Sequence, residues 1–188
     1  MPEHASKLIE NWQEFETRII KVSETTIKNK NKDIALWDKT IQTLFLLLHL
    51  LPPTAKGKKT SNCATVDVAM SRLISFHQIG LPLPSEQELT KINLQPFLLE
   101  VGSNQQAISI FYVVFDGKLL PCPPHTSSIS SFDTLFKTHY VFGCKYEESL
   151  EIFWKFVQMI FYDIDVHNHS FTPTMREVRT RIFNIIIE

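Results

Sequence analysis

The sequence predicts an α+β fold: a small antiparallel β-meander covered by helices, with an N-terminal two-helix extension. Three observations predict it. Apolar residues recur at helical spacing over most of the chain. One stretch, Ala107 to Phe115, is instead a run of β-branched and aromatic residues, followed at once by the short-hairpin pair Asp116-Gly117. The order is helices, then strands, then helices, with no internal repeat and no alternation of strand and helix. At 188 residues the chain is long enough to bury roughly 70% of its unfolded surface without a disulfide or metal.

The elements follow in order. Leu8, Trp12, Phe15, Ile19 and Val22 are spaced four, three, four and three apart, a helical stripe within residues 5–27. That stripe fits either packing on its own domain or a seam for a partner or second copy. The alternating Lys28 to Lys32 is a polar loop. A second helix is expected from Asp33 to Leu50, ending before Pro52 and Pro53. Residues 52–61, with Lys56, Lys58 and Lys59, read as a linker, dividing a helical extension (1–51) from an α+β domain (62–188).

A third helix, capped by Asn62 or Thr65, is expected to run to Gln78, with Gly80 as its stop. Ser85 and Glu88 fit a capping box for a short helix, Glu86 to Ile92. Strands are expected at Pro96 to Val101, Ala107 to Phe115 and Lys118 to Leu120, forming the meander. Ser130 or Ser131 is placed as the cap of a helix from Phe132 to Phe142, closed by Gly143. Residues 146–162 are apolar on nearly every side, which predicts a helix buried on two faces or closed by a partner. Thr174 and Glu177 fit a capping box for the last helix, with Pro173 one residue ahead of its favoured place.

Composition excludes several classes. With 44% hydrophobic residues the chain is not globally disordered. A net charge of −1 excludes polyanion binding by bulk charge. Charge is nonetheless uneven: residues 1–60 hold 10 Lys and Arg against 7 Asp and Glu, and residues 61–188 hold 9 against 13. The longest apolar stretch, Leu44 to Leu51, is too short to span a bilayer, so no membrane partner is expected. The start shows no signal pattern, and Cys63, Cys122 and Cys144 form an odd, unpaired set. The expected setting is intracellular, cytoplasmic or nuclear, with free thiols.

The reactive groups make weak constellations. Cys122 and His125 are spaced Cys-x-x-His, with Cys144, His139, His167 and His169 as scattered further candidates, short of the two tight pairs usual in structural zinc sites. Asp163, Asp165, His167 and His169 alternate, which would align them on one face of an extended segment; turn chemistry explains the same residues. No cysteine stands in a local signature for a nucleophile, and Lys56-Gly-Lys-Lys59 lacks the spacing of a phosphate-cradling loop. No catalytic residue, cofactor or metal ligand is therefore assigned.

Five segments resemble one family pattern: Gln95 to Gly102, Phe111 to Val114, Leu120-Pro-Cys122, Phe132 to Gly143 and Phe161 to Val166. Together they resemble the C-terminal portion of the sterile alpha motif domain-containing protein 3-like proteins, a multi-copy animal family, over roughly residues 46–183. The resemblance implies no catalytic activity and no cofactor, and it sets the chain beside proteins associated with mobile elements, hence a nuclear setting. His167-Asn-His169 departs from the pattern.

The expected function is a non-enzymatic protein–protein interaction or oligomerisation module, with Trp12, Phe15, Ile19, Phe153, Trp154 and Phe156 as apolar anchors for a protein partner or a homo-oligomer. The alternative is a nucleic-acid-associated protein of mobile-element descent, contacting phosphates through Lys56, Lys58, Lys59, Arg176 and Arg179.

Overall fold

The computed structural model describes residues 4–27, 32–53, 64–166 and 171–186. Its first helix, α1 (Lys7–Thr26), buries Leu8, Trp12, Phe15, Ile19 and Val22, the stripe read from the sequence. The expected second helix is broken. A 3₁₀ turn (Lys32–Leu36) precedes α2 (Lys39–Leu50), and Asp38 stands between them. Its carboxylate accepts from the backbone N–H of Thr40 and Ile41 at 3.1 and 3.2 Å, the ordinary chemistry of a helix N-cap. Nine of the twelve residues of α2 are buried, so it is the helix around which the others gather.

Polar groups fix how α1 lies on α2. The indole N–H of Trp12 reaches Glu16 Oε1 and Thr40 Oγ1, each at 3.1 Å. Glu16 is buried, and its other oxygen pairs with Lys39 Nζ at 2.8 Å. A buried carboxylate needs such partners.

The third helix is shorter than expected. Thr65 caps α3 (Val66–Leu73), and the chain then passes directly into strand β1 (Ile74–Gln78). Gly80, at φ +90°, closes the turn after this strand rather than a helix. The capping box of Ser85 and Glu88 opens α4 (Glu86–Ile92) as read. Strands β2 (Phe97–Asn104), β3 (Ala107–Phe115) and β4 (Lys118–Pro121) form the expected meander. β1 adds to it in parallel, Ile74 opposite Leu98, so the sheet is mixed, in the order β1-β2-β3-β4. The antiparallel pairs set Phe97 opposite Val114 and Val114 opposite Leu119. A bulge at Val101–Gly102 brings Gly102 so close to β3 that a Cβ there would sit 2.3 Å from the Ala107 carbonyl oxygen. Only glycine fits.

Strand alternation divides the sheet into two faces. Leu98, Phe111 and Val113 join the main core with the helices. Phe97, Leu99, Val101 and Val114 form a satellite cluster with Leu89 of α4.

The remaining helices shift register. Helix α5 (Ser128–Val141) is capped by Ser127, not Ser130 or Ser131. The apolar segment 146–162 is three pieces: a 3₁₀ turn (Glu148–Leu150), α6 (Glu151–Phe156) and a π-helical turn (Val157–Phe161). Helix α7 (Pro173–Asn184) is capped by Thr172, which accepts from Met175 N–H at 3.2 Å. Pro173 thus occupies the first helical position, where its missing N–H is harmless. The α+β class stands, and the two N-terminal helices pack on the rest of the chain. Leu8, Leu47, Phe132, Trp154 and Ile182 belong to one continuous core, because α2 packs against α1, α3 and α5 alike. Most of the expected linker lies outside the described residues.

Arg18 holds the far end of α7. Its Nη1 donates to the carbonyls of Ile182, Phe183 and Ile185, each at 3.2 Å, while the guanidinium also pairs with Glu14 at 2.8 Å. A cation at helix-terminal carbonyls satisfies acceptors that the helix itself leaves open. Arg18→Ala is expected to destabilise the fold by about 1 kcal/mol and to speed amide exchange in the last turn of α7 before any other helix. Uniform exchange across the helices would contradict this.

Candidate functional site

The six expected anchors are not at the surface. Trp12, Phe15, Ile19, Phe153, Trp154 and Phe156 are all 9% exposed or less. They pack on one another's neighbours: Phe15 lies 4.7 Å from Phe161, and Trp154 stacks on Phe132 at 5.4 Å with planes 10° apart. The chain's own helices cover them, because α1, α6 and the π turn face one core. In this fold they present nothing to a partner, and the place for an interface must be sought elsewhere.

The basic candidates divide. Lys56, Lys58 and Lys59 lie outside the described residues. Arg176 is exposed on α7. Arg179 rests over the rings of Phe171 and Phe183, at 5.8 and 5.6 Å. Arg181 is engaged by Glu177 at 2.6 Å and by Thr26 Oγ1 at 3.0 Å.

The candidate metal and nucleophile residues are placed as follows. His167 and His169 lie outside the described residues. Asp163 and Asp165 both adopt left-handed backbone, at φ +56°, as turn residues do. Asp163 pairs with Lys7 at 2.9 Å, and Asp165 accepts from the Gln158 amide at 2.7 Å. Among the described residues no three His, Cys, Asp or Glu side chains converge as a metal site would need. Burial pushes the thiols of Cys122 and Cys144 up, away from the thiolate form that attacks. Cys63 is outside the described residues. His125 takes left-handed backbone in the loop before α5. His139 is buried against Trp154, ring centres 4.8 Å apart, with Nδ1 3.1 Å from the Leu135 carbonyl. Burial pushes its pKa down to about 4, so the ring is neutral. His77 lies on β1.

Two surface features remain. The first is the pair of sheet edges, which differ in kind. β4 reads Lys-Leu-Leu-Pro, with a lysine and a proline that discourage further pairing. β1 reads Ile-Ser-Phe-His-Gln, with no lysine, carboxylate or proline, and no described strand pairs with its outer edge. Exposed apolar side chains follow it immediately: Ile79 at 47%, Leu81 at 58% and Leu83 at 43%.

The second is an open cleft of about 540 Å³ between the start of α1, the end of α5 and the turn after the π helix. His4, Ala5, Phe136, Lys137, Tyr140, Val141, Tyr162 and Ile164 line it. Phe136 and Tyr162 stack at 4.0 Å, planes 12° apart, and are themselves buried. The Tyr162 hydroxyl donates to Asp133 Oδ1 at 2.7 Å, and Lys137 pairs with Asp133 Oδ2 at 2.5 Å. Deeper in, Tyr146 donates to Gln158 at 2.8 Å. Burial first, then the Asp165 charge, pushes the Tyr140 phenol up to about 12, so it stays protonated.

No signal in the sequence marked either feature. The cleft joins residues some 130 positions apart in the chain, and the β1 edge was hidden by the helical reading of 65–78. No helix among the described residues is long and apolar enough to cross a membrane. No protein-family model, no curated protein and no solved structure matches this chain.

Proposed function

We propose that this chain is a non-enzymatic interaction module that associates through the outer edge of β1. The observation that carries this reading is the contrast between the two edges of one sheet. β4 is guarded by Lys118 and Pro121, whereas β1 is uncharged, free of proline and followed by exposed Ile79, Leu81 and Leu83. An unguarded edge offers backbone donors and acceptors to an extended segment, and apolar side chains beside it supply affinity. A second copy of the chain is the simplest occupant, since two such edges complement each other about a two-fold axis. This keeps the oligomerisation reading and moves its seat from the buried anchors to the sheet.

Solution mass by light scattering, at two protein concentrations and two salt levels, tests it. The expected result is twice the monomer mass, insensitive to salt, returning to the monomer in Leu81→Lys/Leu83→Lys. A monomer under every condition would overturn self-pairing. An unchanged dimer in the double variant would overturn the β1 edge as its seat. Loss of association at high salt alone would favour the basic N-terminal third instead.

A further inference from the structure

We propose that Leu81-Pro82-Leu83-Pro84, the exposed segment between β1 and α4, is a preformed polyproline II ridge that docks into an aromatic-lined groove on a partner protein. The ridge adjoins the edge of β1 but calls for a different partner, and it does not depend on self-pairing.

The conformation follows from the alternation of Leu and Pro. Proline fixes its own φ at about −65° and drives the residue before it to extended backbone. Both leucines precede a proline, so all four residues are held in the polyproline II region. Ser85, next in line, has φ −68° and ψ 161°, the same conformation. Both ends are pinned. Before the segment, Ile79 N–H donates to the Gly102 carbonyl at 2.9 Å. After it, Ser85 N–H donates to Glu88 Oε2 at 2.8 Å. A partner therefore meets a chain that is already ordered, which lowers the cost of binding.

Exposure shows that the ridge is accessible. Three residues make one turn of this helix, so consecutive side chains point about 120° apart. Leu81, Pro82 and Leu83 are consecutive and all exposed. A complete turn thus stands clear of the surface. With exposed Ile79 it forms one apolar strip, the kind of surface that marks an interaction site.

The chemistry selects the partner. Proline has no N–H, so Pro82 and Pro84 cannot carry a strand ladder on beyond Gln78, where β1 ends. No charged side chain lies between Ile79 and Ser85, so recognition must come from apolar packing. The carbonyls of Pro82 and Leu83 accept no hydrogen bond among the described residues. They are open to a tryptophan N–H or a tyrosine hydroxyl, the donors that an aromatic groove supplies. Extended, proline-bearing ligands are recognised in this way. The spacing narrows the choice. Pro82 and Pro84 are two apart and lie on different ridges, whereas an SH3 groove reads prolines three apart. A WW groove, which clasps a single proline between aromatic rings, fits this segment.

The probe is a fluorescently labelled WW domain titrated with the full chain and followed by anisotropy. An SH3 domain, and the WW domain with its groove tryptophan replaced by alanine, are the comparisons. Saturable binding of one WW domain per chain is expected, with none to either comparison. Pro82→Ala/Pro84→Ala keeps both leucines but removes ring methylenes that the groove would hold; it is expected to weaken binding roughly tenfold without altering the solution mass. Leu83→Asp keeps both prolines, charges the exposed ridge, and is expected to weaken binding by a similar factor. Absence of saturable binding, equal binding to either comparison, or undiminished binding by both variants would each overturn the ridge as a docking site. A monomeric chain that binds the WW domain would sink the pairing of β1 and leave the ridge standing. A dimer indifferent to the WW domain would do the reverse.

Discussion

Trp154→Ala is expected to destabilise the protein by about 4 kcal/mol, the upper part of the range for truncating a buried aromatic. Trp154 is buried and sits at the centre of a ring cluster. Phe132 stacks on it at 5.4 Å, Tyr146 at 5.9 Å, and the rings of Phe153, Phe136 and His139 complete the surround at 5.3, 6.1 and 4.8 Å. Five rings close on one side chain, so little can collapse into the space that alanine would leave, and the cavity contribution stays large. Typical domains hold only about 5–15 kcal/mol in total, so the variant is expected to unfold at a much lower urea concentration. Trp154→Phe, which keeps part of the stack, is expected to lose roughly half as much. An anchor that served only a partner would behave in the opposite way: full stability, and lost association.

Glu100→Gln is expected to stabilise the protein by about 3 kcal/mol at pH 7. Glu100 lies on β2 between Phe76 and Phe111 in the sheet, 1% exposed, and its Oε1 has no partner among the described residues. Burial first, and then the charge of Asp38, pushes its pKa from 4.5 up to about 8. The native state therefore holds a proton that the unfolded chain releases above pH 4.5. Stability from this group is highest below pH 4.5 and falls as pH rises towards 8. His139 acts in the other direction. Burial lowers it from 6.5 to about 4, so its contribution is lost as pH falls from 6.5 to 4. Between pH 4.5 and 6.5 the two slopes oppose each other, and above 6.5 Glu100 acts without His139. Urea midpoints are therefore expected to decline from pH 6.5 to 8, where the histidine slope is spent and that of Glu100 is not. Glu100→Gln should remove the decline and leave a rise followed by a plateau. A variant with the wild-type slope above pH 6.5 would refute the assignment to Glu100.

Asp38 has two roles that pull apart. Its carboxylate caps α2 through Thr40 and Ile41, which stabilises the helix start. The same charge raises the burden on Glu100. Neither role is visible from residue 38 alone, since the second depends on a strand some 60 positions later.

Local chemistry was legible wherever it was decided locally. The stripe of α1, the capping box at Ser85 and Glu88, and the hairpin pair Asp116-Gly117 each fix their own element within a few residues. β1 was not legible, because Val68, Met70, Leu73, Ile74 and Phe76 suit a helical face as well as a helix followed by a strand. Nothing between Leu73 and Ile74 marks a boundary. What decides it is β2, which pairs Ile74 with Leu98 and lies more than twenty residues further on. Such pairing overrides a weak local preference. The π turn at Val157–Phe161 is hidden for a similar reason: its residues are good core residues in any helix, and nothing in their spacing marks the wider winding. Burial on several sides of 146–162 was legible, but not whose surface does the covering. A self-made core and an interface need the same side chains. That ambiguity misplaced Trp12, Phe15, Ile19, Phe153, Trp154 and Phe156, and it hid the cleft, whose lining comes from three separated segments.

Helix α1 is the first described helix to be synthesised and α7 the last, yet the two are tied to each other. Phe15 meets Phe183 at 6.0 Å, Arg18 holds the α7 carbonyls, and Arg181 reaches back to Thr26. During vectorial synthesis the apolar stripe of α1 must therefore wait, uncovered on that side, while every intervening element is made. Loop closure between such distant segments is slow, so the final docking of α7 is the natural late step of folding. Until it happens, the nascent chain carries the Phe15 side of that stripe as a sticky ridge for chaperones. After it happens, the ridge is gone.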